Sequence, residues 1–394
     1  MSSKATTDSP VVLMIVAGVV AFSLFLQYEF ALKQALLFLI GIGLGMTLLH
    51  AAFGFTGSWR VFIRKRRGAG IRAQILLLAL TSILFFPLLG NAFPELTASA
   101  ALAPVGVSVF VGAFVFGLGM QFGNGCGSGT LFTVGGGHVR MLIVLAFFIV
   151  GATIGTVHLP LWLALPNIGK ISLVTSLGWL PALLAQLIVL SILYFVVRII
   201  EKKRHGEVVH LKGTGDKSFS NVFIFGPWAL IWAVVALAAL NFATLLLAGH
   251  PWTITFAFGL WGTKFWAAIG GDISQWTFWQ AGYAAKALNS SVLADTTTLM
   301  DFGIVLGAML AAALAGKFAP DSKINMADLI TAIVGGLLMG YGARLAFGCN
   351  IGGLLAGISS GSLHGWLWLL AGFIGTIVGV RLRIIFKIDK PVEV

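Results

Sequence analysis

Long runs without a charged residue dominate the pattern of apolar and polar positions along this chain. A helix rises about 1.5 Å per residue and a bilayer core is roughly 30 Å thick, so each run is long enough to cross a membrane. A transmembrane barrel would need short alternating segments instead. The pattern predicts an all-α polytopic membrane protein. The runs cover 9–28, 34–59, 73–94, 96–139, 141–169, 171–197, 218–263 and 345–380.

Composition supports the same class. Of the 394 residues, 58% are hydrophobic and 10% are charged, whereas soluble domains carry about 25% charged residues. The net charge is +12, but Lys and Arg cluster around 60–72, 198–217, 317–323 and 381–390. Short basic loops between apolar spans are typical of the cytoplasmic side of a membrane protein. The excess charge therefore indicates orientation, and we expect the lipid bilayer but no nucleic acid as a partner.

Placing these basic loops in the cytoplasm predicts about ten crossings with both termini cytoplasmic. Residues 1–29 are expected to form an extra N-terminal transmembrane helix that is retained, since no small-x-small cleavage site follows it. The polar segment 201–222 is expected to be a cytoplasmic linker. It divides the remaining chain into two units, 30–200 and 223–390.

Two glycine-rich stretches are too long for one crossing and resemble each other. They read "GAFVFGLGMQFGNGCGSGTLFTVGGG" from Gly112 and "GGLLMGYGARLAFGCNIGGLLAGISSG" from Gly335. At an offset of 223 residues Cys126 meets Cys349, and six further residues are identical. The charge map gives the two copies opposite directions across the membrane. The sequence therefore predicts two inverted repeats with short interrupted helices, an architecture of transporters and channels.

The interruptions explain why an anion is the expected ligand. Gly125 and Gly348 directly precede the cysteines and let the backbone turn there. Lipid cannot satisfy the N–H groups that a break exposes, so the break must be buried or face a polar cavity. The half-helix that follows presents free N–H groups and a partial positive charge. Two weaker units, 41–60 and 249–266, would complete four interrupted elements around a narrow waist. Close helix packing by glycine is the alternative.

The polar neighbours of the cysteines are further candidates for a substrate-binding pore. These side chains either orient a substrate or cap the half-helices, and they are Asn124, Ser128, Thr130 and Asn350. Arg344 lies in an otherwise charge-free run, where an ionised side chain usually faces a cavity or a partner. Its repeat counterpart is Gln121. Lys264 either attracts the anion or extends to the membrane interface.

These motifs resemble the YeeE/YedE family of bacterial inner-membrane proteins, which includes transporters that take thiosulfate into the cytoplasm. The resembling segments are "FGFTGSWR" from Phe53, "GLGMQFGNGCGSGTLFTVGGG" from Gly117, "PWTITFAFGLWGTKFW" from Pro251 and "GYGARLAFGCNIGGLLAGISSGSLHGWLW" from Gly340. The resemblance implies an hourglass-like body, and it implies that Cys126 and Cys349 pass a sulfur-containing anion through a pore. It also suggests a small cytosolic sulfur-carrier protein as a partner. Thiosulfate-transporting relatives carry a third cysteine where this chain has Gly54, which leaves room for another sulfur or selenium species.

Two other functions fit the same residues. Cys126 and Cys349 are also compatible with a membrane thiol-redox protein, although a local Cys-x-x-Cys is absent. A channel for small solutes is the third function that fits these residues. The sequence shows no residue spacing typical of metal ligands, no nucleotide-binding fingerprint and no catalytic-triad pattern. We therefore expect neither an enzyme nor a bound cofactor or metal.

Overall fold

The structure is a computed structural model that describes residues 7–212, 222, 224–320 and 324–389. It is almost entirely helical. The helices are α1 Ser9–Glu29, α2 Leu32–His50, α3 Phe55–Lys65, α4 Ala69–Leu89, α5 Val107–Gly123, α6 Gly127–Gly135, α7 Val139–Leu163, α8 Leu173–Leu177, α9 Trp179–His205, α10 Leu230–Ala248, α11 Thr255–Ala268, α12 Gly282–Asn289, α13 Thr296–Leu314, α14 Met326–Leu345, a π-helix Asn350–Leu355, α15 Ala356–Ser359 and α16 Leu363–Ile385. Two short 3₁₀ turns are Thr277–Trp279 and Val292–Ala294.

Ten segments within the described part of the chain are long and apolar enough to cross a bilayer. They fall on the ten predicted crossings, so the predicted polytopic helical class is confirmed. Three of the segments contain an interruption and join consecutive elements: α2 with α3, α5 with α6, and α14 with both the π-helix and α15. The weaker unit 249–266 is also preceded by a break, because α10 ends at Ala248 and α11 begins separately at Thr255.

The helix breaks lie where the glycine clusters predict them. Helix α5 ends at Gly123, and Asn124 then adopts a left-handed conformation with φ 65°. Helix α14 ends at Leu345, and Phe347 has φ 59°. Asn124 and Phe347 are equivalent at the offset of 223 residues, so the two similar sequences turn at the same position. A left-handed residue closes a helix because it redirects the chain while its N–H still bonds to the last turn.

Helices α5 and α14 pack backbone to backbone and run in opposite directions. The Ser108 hydroxyl near the start of α5 donates to the Leu345 carbonyl at the end of α14, at 2.8 Å. At the other end, a β-carbon on Gly335 would clash with the backbone of Gly123. Glycine is required along this contact because the helices approach too closely for side chains. The inverted relation of the complete units 30–200 and 223–390, and the hourglass outline, stay predictions.

The remaining elements surround this pair. Helix α14 also packs against α7, and α16 packs against α5. Helix α13 packs against α2 and α6, while α1 lies at the outside against α2 and α13. A short two-stranded antiparallel sheet pairs Pro104–Gly106 with Asn167–Lys170, which the continuous hydrophobicity of the chain did not indicate. The interrupted helices are thereby enclosed by long ones, so their free ends lie inside the protein.

Candidate functional site

Four short helical elements begin in the interior and face one another. The residues that precede their first turns are Gly54, Cys126, Ile254 and Cys349. A β-carbon on Gly127, which opens α6, would lie 2.9 Å from Cys349 Sγ and 3.5 Å from Ile254 Cγ2. Phe55, which opens α3, lies near the Cys126 thiol. Free N–H groups from several helices therefore converge here and favour an anion without any ionised side chain.

Cys126 is buried and stands at the N-cap position of α6. Its sulfur lies 3.4 Å from the Ser128 hydroxyl. Its carbonyl accepts a hydrogen bond from the Thr130 hydroxyl at 2.8 Å. Ser128 therefore contacts the thiol, whereas Thr130 is engaged with the backbone of its own helix. Gly125, just before the cysteine, lies against the flexible end of Met141.

Cys349 is also buried and precedes the π-helix in the equivalent way. Its sulfur accepts a hydrogen bond from the Ile351 amide at 3.4 Å. Both cysteines are free thiols. Because Cys349 Sγ lies against Gly127, the residue after Cys126, the structure brings the two predicted cysteines to neighbouring positions. Gly348 has φ 150°, and a β-carbon there would clash with the Gly353 amide, so only glycine fits.

The two asparagines beside the cysteines differ. Asn350 is completely buried, and neither its side-chain oxygen nor its nitrogen has a hydrogen-bond partner among the described residues. A buried amide without partners is costly in free energy and is often completed by water or a ligand. Asn124 is exposed and serves to terminate α5 through its left-handed backbone. Asn350 is therefore the polar side chain next to the thiols that is available to a ligand.

A cavity of about 350 Å³ opens on the Cys349 side, and we call it the Arg344 vestibule. It reaches Gly348 and Gly352 in the break itself, together with the hydroxyl groups of Thr253 and Thr297. Arg344 lies in its wall. The guanidinium stacks 3.6 Å above the centre of the Phe278 ring, and Nε and Nη2 have no partner among the described residues. A cation held by an aromatic ring instead of a carboxylate stays free to attract an anion.

Gln121 lies at the opposite end of the site from Arg344. Gly112 of α5 lies against Gly342 and Leu345, which flank Arg344 on α14. From Gly112 to Gln121 the helix rises roughly 14 Å at 1.5 Å per residue, and this separates the two ends. Gln121 is fully buried, and its side-chain oxygen accepts a hydrogen bond from Arg60 Nε at 2.9 Å. Its carbonyl accepts one from Arg383 Nη1 at 2.6 Å. One copy of the motif carries a guanidinium at this position in Arg344 itself. In the other copy the position is Gln121, and Arg60 of α3 brings the guanidinium to it.

Two of the basic residues near Gln121, Arg64 and Arg383, bind one carboxylate, and we call the group Arg60, Arg64, Arg383 and Asp389 the Arg60 cluster. Arg383 donates two hydrogen bonds to Asp389, at 2.9 and 2.6 Å, and Arg64 Nη1 lies 2.9 Å from the same carboxylate. These hydrogen bonds hold the pKa of Asp389 below its ordinary value of 3.8. Sequence reasoning missed this cluster, because Arg60 and Arg383 stand at the edges of apolar runs like ordinary loop residues.

Two other predicted site residues have clear surroundings. The Lys264 ammonium donates to the carbonyls of Leu288 and Ser290, at 2.6 and 2.8 Å, so it braces a loop and does not reach the thiols. Gly54 precedes α3, and nothing lies within 4 Å of the place where its β-carbon would be. The position of the missing third cysteine is therefore open space beside Phe55.

The fold and this site define a multi-span helical membrane protein with paired thiols where interrupted helices meet. The profile of the Sulphur transport family matches residues 50–378. The chain therefore belongs to the Sulphur transport family of membrane transporters, and the resemblance to YeeE/YedE proteins is confirmed.

Individual relatives show the same affiliation. Probable transporter YedE of Escherichia coli (strain K12) is 31% identical over 180 residues, which cover 45% of this chain and 43% of that protein. The match thus spans less than half of that relative's length. Thiosulfate transporter TsuA of Spirochaeta thermophila is 28% identical over 345 residues, covering 84% of this chain and 92% of that protein. Thiosulfate transporter TsuA of Escherichia coli (strain K12) is 22% identical over 350 residues, covering 85% and 90%.

Proposed function

We propose that the protein imports a small sulfur-containing anion, thiosulfate or a related species, across the bacterial inner membrane. In this proposal both termini are cytoplasmic, the Arg344 vestibule faces outward and the Arg60 cluster faces the cytoplasm. The observation that carries the proposal is the convergence of Cys126, Cys349 and several helix N-termini at one buried place. The near full-length similarity to proteins named thiosulfate transporter supports the choice of substrate.

The electrostatics of the site suit an anion that must pass and not remain. Carrying one negative charge inward against an inside-negative potential costs about 2.3 kcal/mol per 100 mV. Arg344 draws the anion into the vestibule from outside. Beyond it, the anion meets neutral donors: the two thiols, the free N–H groups and the Asn350 amide. Neutral donors stabilise an anion less than a guanidinium does, so they do not trap it.

The thiols supply the preference for sulfur. A thiol is a weak donor and a weak acceptor, and its polarisable sulfur tolerates a close sulfur atom of the substrate. Cys349 Sγ lies beside Gly127, the residue after Cys126, so an anion released by one thiol is already next to the helix break of the other. The Arg60 cluster then offers guanidinium groups at the proposed cytoplasmic exit. A small cytosolic sulfur-carrier protein with an acidic surface would fit this basic exit.

Uptake of radiolabelled thiosulfate by proteoliposomes tests the proposal. We expect Cys349→Ala and Cys126→Ala each to lower uptake about ten- to a hundredfold, since a hydrogen bond to a charged group is worth about 1.5–3 kcal/mol. Cys→Ser variants keep an O–H donor and should retain more uptake than Cys→Ala. Ser23→Ala on the peripheral helix α1 is the matched control. Wild-type uptake by both alanine variants would rule out the thiol pathway.

A further inference from the structure

Asp301 is a buried carboxyl group that the proposed pathway does not use. It lies in the membrane-spanning helix α13 and is 0% exposed. Neither of its oxygen atoms has a hydrogen-bond partner among the described residues. It borders a cavity of about 530 Å³ whose other lining side chains are aliphatic or aromatic. An ionised carboxylate in such surroundings is very costly, so the group is stable there only with a bound proton.

A chain of polar groups leads from the Arg344 vestibule towards this carboxyl. Tyr283 lines the vestibule, and its hydroxyl donates to Asp295 at 2.7 Å. The second oxygen of Asp295 accepts from the Thr298 hydroxyl at 2.8 Å. Thr298 and Asp301 are three residues apart on α13 and therefore share one face of the helix. Hydrogen-bonding groups thus run from the vestibule to Thr298, and Asp301 follows one helical turn further along α13 without a hydrogen bond of its own.

Few other charges act on Asp301. Helix α13 packs against α1, α2, α6 and α11. The titratable residues on or at the start of these helices are Asp8, Tyr28, Glu29, Lys33, His50, Cys126 and Lys264, and none is bonded to Asp301. Asp295 stands at the start of α13 itself, six residues before Asp301. No cation balances the Asp301 carboxyl within the described part of the chain, so its charge is set by whether it holds a proton.

The position of Asp301 on α13 links this proton to the anion. Asp301 lies one helical turn after Thr297, which lines the Arg344 vestibule, so an anion in the vestibule is repelled by an ionised Asp301 and accepted near a protonated one. By thermodynamic linkage, the anion in turn favours protonation of Asp301 to the same degree. We propose that Asp301 is a proton-binding site loaded through Asp295, and that its proton enters the cell with the anion. This inference rests on the proposed transport function and adds its source of energy.

Each cycle then moves a proton from the vestibule to Asp301 and releases it on the cytoplasmic side after the anion has left. The proton comes from the outer solution, and no other reactant is needed. Every proton carried offsets one negative charge of the substrate. Uptake is therefore expected to follow the proton gradient as well as the anion gradient.

Proteoliposomes containing the full chain test this inference with labelled thiosulfate and a trapped pH indicator. For wild type, an inward gradient of roughly one pH unit should raise accumulation about tenfold per coupled proton, and added thiosulfate should acidify the lumen. Asp301→Asn, which keeps shape and removes the titration, should lose both effects and still exchange labelled for unlabelled thiosulfate. Asp328→Asn, a partly exposed carboxyl at the start of α14, is the matched control.

The outcomes separate the two proposals. Wild-type flux that ignores the proton gradient, or an Asp301→Asn variant with unchanged gradient dependence, would overturn the proton site and leave transport intact. Absence of any labelled flux in folded wild-type protein would overturn the transport function itself. If Asp301→Asn does not fold, Tyr283→Phe, which removes the hydrogen bond that leads from the vestibule to Asp295, should lower the gradient dependence, and an unchanged dependence would overturn the proposed proton path.

Discussion

Gln121 and Arg344 occupy equivalent positions in the two cysteine motifs, yet the two ends of the site treat positive charge differently. The guanidinium of Arg344 rests on an aromatic ring, 3.6 Å from its centre, and two of its nitrogen atoms are free of partners among the described residues. At the other end, Arg60 and Arg383 are bound to Gln121 and Arg383 is bound to Asp389. The Arg344 end presents a cation without a carboxylate, whereas the other end holds Arg64 and Arg383 on the carboxylate of Asp389.

If the protein imports an anion as proposed, this difference suits capture at the Arg344 end and closure at the other. An unpaired guanidinium beside a cavity attracts any anion that enters, because it has no competing carboxylate. A guanidinium already bound by a carboxylate yields to a substrate only if that carboxylate is displaced. We therefore interpret the Arg344 vestibule as the place of entry and the Arg60 cluster as a seal that the departing anion must open.

Gln121→Arg would make the two cysteine motifs alike at this position, and we expect it to have the largest effect, a loss of stability. The new guanidinium would be fully buried beside Arg60 and Arg383, and an uncompensated buried charge costs about 3–5 kcal/mol. We expect a lower midpoint of thermal unfolding in detergent, with less folded protein. Gln121→Met is the control, because it removes the hydrogen bond without adding charge. Unchanged unfolding of Gln121→Arg would show that this end has room for a free cation.

Arg344→Gln is the reciprocal change and should affect transport more than stability. The vestibule would lose its cation, so we expect the KM for thiosulfate uptake to rise about tenfold, or ~1.4 kcal/mol. The unfolding midpoint should change little, because no ion pair is broken. Arg344→Lys keeps the charge without the flat stack on Phe278 and should fall in between. An unaltered KM in Arg344→Gln would contradict the capture role.

Gly54→Cys tests the open position beside the Arg60 end. Because nothing lies within 4 Å of the added β-carbon, we expect the free energy of unfolding to change by less than about 0.5 kcal/mol. A third thiol beside α3 should keep or raise thiosulfate uptake. Gly348→Cys is the matched control, since its φ of 150° and the contact with Gly353 should destabilise it clearly. Equal stability losses in the two variants would argue against an open pathway at Gly54.

We expect the pH dependence of the unfolding midpoint that comes from Asp389 in the Arg60 cluster to be the smallest effect. The pKa of Asp389 is lowered in the folded protein, so its contribution to stability is present above 3.8 and is lost as the pH falls through the folded pKa. The difference in unfolding midpoint between wild type and Asp389→Asn should therefore shrink below pH 3.8. A difference that stays constant through this range would mean that the carboxylate charge does not hold the cluster.

Much of the fold could be predicted because hydropathy and glycine spacing are local signals. The ten crossings followed from the apolar runs, and the breaks at Asn124 and Phe347 followed from the glycine clusters. The break before α11 falls on Gly249, His250 and Pro251, at the start of the predicted unit 249–266. The two-stranded sheet was missed because its strands are only three and four residues long and residues 107–166 separate them.

The site was predicted less completely because its electrostatics depend on distant residues. Arg60 and Gln121 are 61 residues apart, and Gln121 and Arg383 are 262 apart, so no spacing rule connects them. The local sequence around Asp301 did not point to it, because its importance lies in having no hydrogen-bond partner among the described residues. The two cysteines, by contrast, were found through the repeated motif that surrounds them.

The glycine contacts along α14 have a consequence for reading mutational scans of this protein. A β-carbon on Gly340 would collide with the Phe148 carbonyl, and one on Gly119 would press on Leu338. Substitutions there would wedge apart the long helices that carry both thiols, although neither glycine touches the pathway. Inactive variants at these positions would therefore report damage to the supporting frame, and protein abundance must be measured before any such residue is assigned to substrate recognition.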